Sequence, residues 1–313
     1  MRIPGLLVLL FFCTFKPADA ADIGALQQQV NQIAESHRGH VTLYAENLRT
    51  HETVAIHPDE PVQTASVIKL AILYEALRQI REGKASFSDP IALSSKDQVP
   101  GSGVLLFLDT PTRITFKDAL TMMIVMSDNT ATNLAIDHLG IENIDKTIAA
   151  LGLNNTYLYK KIFTPVPPGV TMPEDQKRFG LGKTTAREMA TLMTRLATCQ
   201  LGAPAKPEDR ALCGAAQKML HLQFYRGGIP RYLDTLPGAT EESIANKTGS
   251  LEAVRNDVGA VSTKQGMVVI SAFTYDNADH SWGAEQEGEI TIAKIARVII
   301  AAWSPEGLAP WPQ

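Results

Sequence analysis

The sequence predicts an α/β (α+β) fold of two lobes: an antiparallel sheet flanked by the terminal helices, and a second lobe built of helices alone. Three observations predict it. Strand-like alternation lies near both ends of the chain, while periods close to 3.6 fill the middle. Strands so far apart in sequence assemble economically as one antiparallel sheet, which the first and last helices can cover. The chain has 313 residues, 45% of them hydrophobic, enough for one large domain or two lobes around a real core.

In chain order, Arg2, the apolar run from Leu6 to Phe15 and then Ala18-Asp19-Ala20 have the make-up of a signal peptide over residues 1–20. The run is too short to span a bilayer, which takes about 20 apolar residues. The mature protein is therefore expected to be exported, periplasmic or secreted, as a monomer with no stable membrane anchor. Leu26, Val30 and Ile33 mark an amphipathic helix over 22–36. Val41–Ala45 and Thr53–Ile56 read as a hairpin. From Ser66 to Glu82 the chain is apolar nearly all round, as a buried helix is. Further helices are expected at 116–126, 130–139, 143–151, 185–197 and 211–223. The stretch from Asn154 to Lys183 is rich in Pro and Gly, and a loop that long in a compact protein is usually functional. Val258–Val261 and Met267–Phe273 are expected strands, and Ile290–Trp303 a closing helix. The pattern places the sheet lobe at 21–62 with 222–313 and the helical lobe at 63–221, with a site expected in the cleft between them.

The formal net charge of −4, with no long Lys/Arg cluster, argues against a nucleic-acid partner. None of the seven histidines falls in a His-x-His-x-Asp or His-Glu-x-x-His pattern, so no metal and no other cofactor is expected. Without the leader two cysteines remain, Cys199 and Cys213. In an oxidising compartment a disulfide between them is expected, the alternative being two buried thiols.

Three short motifs carry chemistry: Ser66-Val67-Ile68-Lys69, Ser127-Asp128-Asn129 and Lys247-Thr248-Gly249. Each is weak alone, and Ser66 by itself reads as an ordinary helix N-cap with Lys69 snorkelling. Together they place a nucleophile at a helix start, a hydroxyl between two helices and a cation at the start of a strand. Ser66 needs a base, and Lys69, three residues on, shares its helical face. Ser127 can pass a proton to a leaving nitrogen, and Asn129 can hold a substrate amide at one end and Lys69 at the other. Asp128 suits a turn or cap. Lys247 and Thr248 suit a substrate carboxylate, Gly249 a close approach of substrate backbone, and Ser250 a second N–H for an oxyanion opposite that of Ser66. Arg255 either reaches the same carboxylate or is a solvated hairpin arginine.

Taken together, Thr64–Lys69, Met126–Asn133, Thr184–Ala190 and Lys247–Ser250 resemble the class A β-lactamase family and its penicillin-binding relatives over nearly the whole mature chain. The resemblance implies a two-lobed serine β-lactamase/D,D-peptidase-like fold. It implies a serine acylated by a β-lactam or a D-alanyl-D-alanine peptide. One departure stands out. Class A β-lactamases carry Glu-x-x-Leu-Asn in their Ω-loop, and that glutamate activates the deacylating water. Here the loop has a single glutamate, Glu174, with no Leu-Asn after it. Glu174 is either the deacylation base or a solvated carboxylate paired with Lys177 or Arg178. The functions left open are a β-lactamase, a penicillin-binding D,D-carboxypeptidase or related wall hydrolase, and a non-catalytic wall binder. The intact motifs argue against the last.

Overall fold

A computed structural model describes residues 22–165, 169 and 171–312. The expected signal peptide, residues 1–20, lies outside the described residues. Asp22 caps α1 (Ile23–Glu35) by accepting the Ala25 N–H at 3.1 Å. The elements that follow are β1 (His40–Asn47), β2 (Thr53–Ile56), β3 (Val62–Gln63), α2 (Lys69–Arg81), β4 (Pro90–Leu93), β5 (Thr112–Thr115), α3 (Phe116–Val125), α4 (Asn129–Leu139) and α5 (Ile141–Ala150). Next come β6 (Tyr157–Leu158), α6 (Gln176–Phe179), β7 (Gly182–Thr184), α7 (Ala186–Ala197), α8 (Asp209–His221), β8 (Ile244–Leu251), β9 (Val254–Thr263), β10 (Gly266–Tyr275) and α9 (Glu287–Trp303).

The main sheet runs β2-β1-β10-β9-β8, every neighbouring pair antiparallel. The first and last strand segments are thus partners, β1 lying beside β10. Alternation sorts the side chains of β10 into two cores. Val268, Ile270 and Ala272 join Leu26, Val30 and Ile299 beneath α1 and α9. Val269 and Phe273 face the core that contains α2. With both faces covered, β9 is buried at every position. α7 packs on β1, β9 and β10 and also touches α2 and α8, so it bridges sheet and helices.

α2 is the axis of the helical region, with α3, α4, α5, α7 and α8 around it. That explains its apolar circumference. Its one buried acid, Glu75, is satisfied by Arg78 (2.7 Å), Gln79 (2.6 Å) and Thr147 (2.6 Å). The disulfide Cys199–Cys213 joins the end of α7 to α8.

Three local expectations shift. The helix expected from Ser66 starts as a 3-10 turn, Ala65–Ile68, and becomes α-helical only at Lys69. Lys247 does not open its strand; β8 starts at Ile244 and carries Lys247-Thr248-Gly249 mid-strand. The long loop contains β6, α6 and β7, and β7 pairs with both β3 and β6. The loop is therefore tied to the segment that leads into Ser66.

Candidate active site

The turn that carries Ser66 is held from two sides. Thr64 donates its N–H to Gly182 O at 3.0 Å. Asn256 donates its side-chain amide to Gln63 O at 2.9 Å and Thr64 O at 3.1 Å. These bonds hold Ala65 at a φ of 43°, in the left-handed region that few residues with a Cβ enter. Ser127 sits there as well, at a φ of 53°. Such conformations persist where the surroundings over-determine them, and they concentrate at functional sites.

Gly249 brings β8 against this turn. A Cβ there would lie 2.9 Å from Ser66 N, 2.9 Å from Thr64 O and 3.0 Å from Val67 N. The sequence reading gave that space to substrate backbone; the structure gives it to the protein's own Ser66 turn. The Ser66 N–H finds no acceptor among the described residues. Opposite it, β8 is the edge strand and turns into β9 through two residues, Glu252 and Ala253. The hydrogen-bonded pair that closes such a turn is Leu251–Val254. By alternation Ser250, facing Arg255, is a non-hydrogen-bonded position whose N–H points off the sheet. Two unpaired backbone donors therefore border one cavity, which Ser66 and Ser250 both line.

Two buried lysines bracket one hydroxyl. Lys69 Nζ donates to Ser127 O at 2.7 Å, Ser127 Oγ at 3.1 Å and Asn129 Oδ1 at 3.2 Å. Lys247 Nζ lies 3.1 Å from the same Ser127 Oγ and 2.8 Å from Thr248 O. Burial, reinforced by the neighbouring Lys247 charge, holds the Lys69 ammonium well below its ordinary range, with Asp128 opposing. Burial brings Lys247 down to about 7 against the pull of Asp257. A neutral amine beside a serine can accept its proton, and the shared hydroxyl can relay one. Asn129 Nδ2 donates to Pro100 O at 3.0 Å, leaving one amide hydrogen for the cavity. Asp128 is structural. It caps α4 through Ala131 N (2.8 Å) and anchors the preceding loop through Val104 N (2.6 Å) and Leu105 N (2.8 Å).

The cavity holds about 790 Å³. Lys160–Phe163 of the long loop form one wall. Asn133 fixes that wall by donating to Ile162 O at 2.9 Å and accepting the Ile162 N–H at 2.8 Å. Glu174 is not part of it. It is exposed and makes no hydrogen bond or ion pair among the described residues, with Lys177 and Arg178 or with any other partner. The chain after Glu174 forms α6, which packs on β3 and β7, and reaches the cavity at Gly180 and Leu181 instead. The loop contacts go instead to Asp175, which accepts from Tyr159 (2.7 Å) and Lys183 (2.6 Å). Among the described residues of 154–183, no carboxylate lines the cavity.

Arg255 lines the cavity but is neither solvated nor a free fork. It is 1% exposed. Nη1 donates to Leu251 O (2.5 Å) and Val254 O (2.8 Å), and Nη2 to Ser281 O (2.5 Å). Its guanidinium lies 4.4 Å from the centre of the Trp282 ring. The sequence reading passed over three further residues. Asn133 shows as a polar residue on the buried face of α4. Asp257 shows as an acid inside a strand buried on both faces. Glu289, in the first turn of α9, gave no signal.

A family model described as the beta-lactamase enzyme family matches residues 25–303. Among curated proteins none matches the sequence. Among solved structures, a β-lactamase from Sphaerobacter thermophilus DSM 20745 is 29% identical, with a TM-score of 0.73 over 90% of this chain and 96% of that one. PBP-A, 23% identical, gives 0.72 over 89% and 95%. A variant of the class A β-lactamase of the last common ancestor of Gram-negative bacteria, 21% identical, gives 0.71 over 89% and 97%.

Proposed function

The chain belongs to the β-lactamase enzyme family and is a serine hydrolase of the class A type acting on β-lactams, and we propose that Ser66 is the residue acylated. Lys69, whose charged form burial disfavours, takes the Ser66 proton as the hydroxyl attacks the lactam carbonyl. The N–H groups of Ser66 and Ser250 hold the developing oxyanion. Ser127 relays a proton to the leaving nitrogen. Lys247 and Thr248 hold the substrate carboxylate, and Asn129 the side-chain amide of the substrate. The observation that carries this reading is the Ser127 hydroxyl, 3.1 Å from each of two buried lysine amines, in the cavity that Ser66 also lines. Export to a periplasmic or secreted location is part of the proposal, and the Cys199–Cys213 disulfide supports it.

The second step is slow in this reading. The loop wall presents Ile162 and no carboxylate, so a base for the deacylating water is missing from it. The same observation favours a second reading, a penicillin-binding D,D-carboxypeptidase whose own substrate is a D-alanyl-D-alanine peptide. A time course of the mature protein with a chromogenic cephalosporin, followed by absorbance and by mass spectrometry, tests both. Sustained turnover with acyl-enzyme accumulating on Ser66 is the expected result. A single stoichiometric burst with a persistent adduct selects the carboxypeptidase, and the absence of both turnover and an adduct on Ser66 refutes the mechanism.

A further inference from the structure

We propose that Glu289 and Asp257 form a carboxyl pair at the carboxylate-binding end of the cavity, and that an anionic substrate binds there with uptake of a proton by the pair. The pair thereby sets the preference between anionic and neutral substrates. The proposal rests on Ser66 being acylated and on Thr248 meeting the substrate carboxylate.

Asp257 stands directly across the ladder from Thr248. Directly opposed residues of an antiparallel pair project to the same face with Cβ atoms about 5 Å apart. The hydroxyl offered to an anion and a buried acid are therefore neighbours. Asp257 is 1% exposed and accepts Ile229 N at 2.8 Å and Asn246 Nδ2 at 2.9 Å. Glu289 lines the same cavity and accepts no hydrogen bond among the described residues; its nearest cation is Arg255 Nε at 3.7 Å. Two adjacent glycines make room for both acids. A Cβ on Gly227 would lie 2.0 Å from Glu289 Oε2, and one on Gly228 2.5 Å from Asp257 Oδ2.

The charges that face the pair are Lys247 on β8, Arg255 on β9, Arg231 in the turn Ile229–Tyr232, and Glu252 at the cavity mouth. Arg255 is committed to three carbonyls, and Arg231 to Ala284 O and Glu285. Two carboxylates with these partners oppose a third arriving on the substrate. Burial pushes Asp257 up to about 6, with the Glu289 charge adding to the rise, and it raises Glu289 as well. A proton on the pair removes one of the opposing charges.

The test compares acylation of Ser66 by benzylpenicillin and by its methyl ester, in the wild type and in Glu289→Gln, at pH 5 and pH 8. The quantity read is the ratio of second-order acylation rates, acid over ester. In Glu289→Gln the ratio should rise by up to about 100-fold at pH 8, the effect of one charge roughly 6 Å away at an effective dielectric of about 20. At pH 5 the rise should be smaller, because burial raises Glu289 above the ordinary carboxylate range and it carries less of its charge there. Lys247 loses its proton in the same range, but it does so in both proteins and cancels. Glu289→Ala should reproduce the pattern. A ratio unchanged in both variants, or changed equally at the two pH values, overturns the proposal. A wild type acylated by neither compound overturns the Ser66 reading instead, and this proposal with it.

Discussion

Replacing Lys247 by Met should abolish useful acylation and make the fold more stable at neutral pH. Lys247 is fully buried, and burial lowers it from 10.5 to about 7. Between those values the unfolded chain carries a proton on this side chain and the folded protein does not. Folding therefore expels a proton, and wild-type stability rises with pH across the window. At about 1.4 kcal/mol per pH unit, the lysine costs the fold about 5 kcal/mol at pH 7, a cost that vanishes near pH 10.5. Met keeps the apolar stem and removes the amine. It also loses the contacts to Ser127 Oγ and Thr248 O, together worth about 1–2 kcal/mol, and takes a cation from Asp257. The net expectation is a variant more stable by about 3 kcal/mol at pH 7, with the advantage gone by about pH 10. Urea unfolding of both proteins at pH 7, 8.5 and 10 measures this. Lys69 does not cancel completely, because removing the Lys247 charge relieves part of its depression; that relief adds to the advantage of the variant at neutral pH and fades as pH rises. A variant no more stable than the wild type at pH 7, or an advantage that does not shrink as pH rises, refutes the argument that this lysine is held against the stability of the fold.

Gly249→Ala should lower the acylation rate by at least about 100-fold while the protein stays folded, because the new Cβ pushes on Ser66 N and misplaces an oxyanion donor; stopped-flow acylation at the wild-type rate would contradict this. Ile162→Glu should shorten the life of the acyl-enzyme by about 100-fold, the order expected of a placed general base. Glu174→Gln, altering an exposed side chain off the cavity wall, should leave that lifetime unchanged, and mass spectrometry of chased acyl-enzyme reads both. Changing Cys199 and Cys213 to Ser should cost about 3 kcal/mol of stability in urea, as expected for a bridge spanning 14 residues.

Legibility in the sequence divides along a physical line. Local periodicity decides which faces of an element are buried, so the run after Ser66 announced a helix surrounded on all sides, and the alternation at both chain ends announced a shared sheet. The three motifs were legible for a related reason. Each lies within a few residues of chain, and its helix turn or strand alternation fixes where its side chains go. What was not legible depends on which distant segment closes over a residue. Gly249 could be seen to need room, but only the fold shows that Thr64–Val67 fills it. Arg255 has the right reach from Lys247, yet the carbonyls that occupy it come from the hairpin turn and from Ser281. Glu174 was singled out as the only glutamate in a functional loop, a choice made on residue type, and the folded loop brings Lys160–Phe163, Gly180 and Leu181 to the cavity instead. Asp257 shows the limit most clearly. An acid in a strand buried on both faces must meet donors or take up a proton. The sequence therefore poses the question of its charge, and only the neighbours Asn246, Ile229, Lys247 and Glu289 supply the answer. Because Asp257 stands across from Thr248, proposed above to meet the substrate carboxylate, its charge state bears in that proposal on substrate selection as well as on folding.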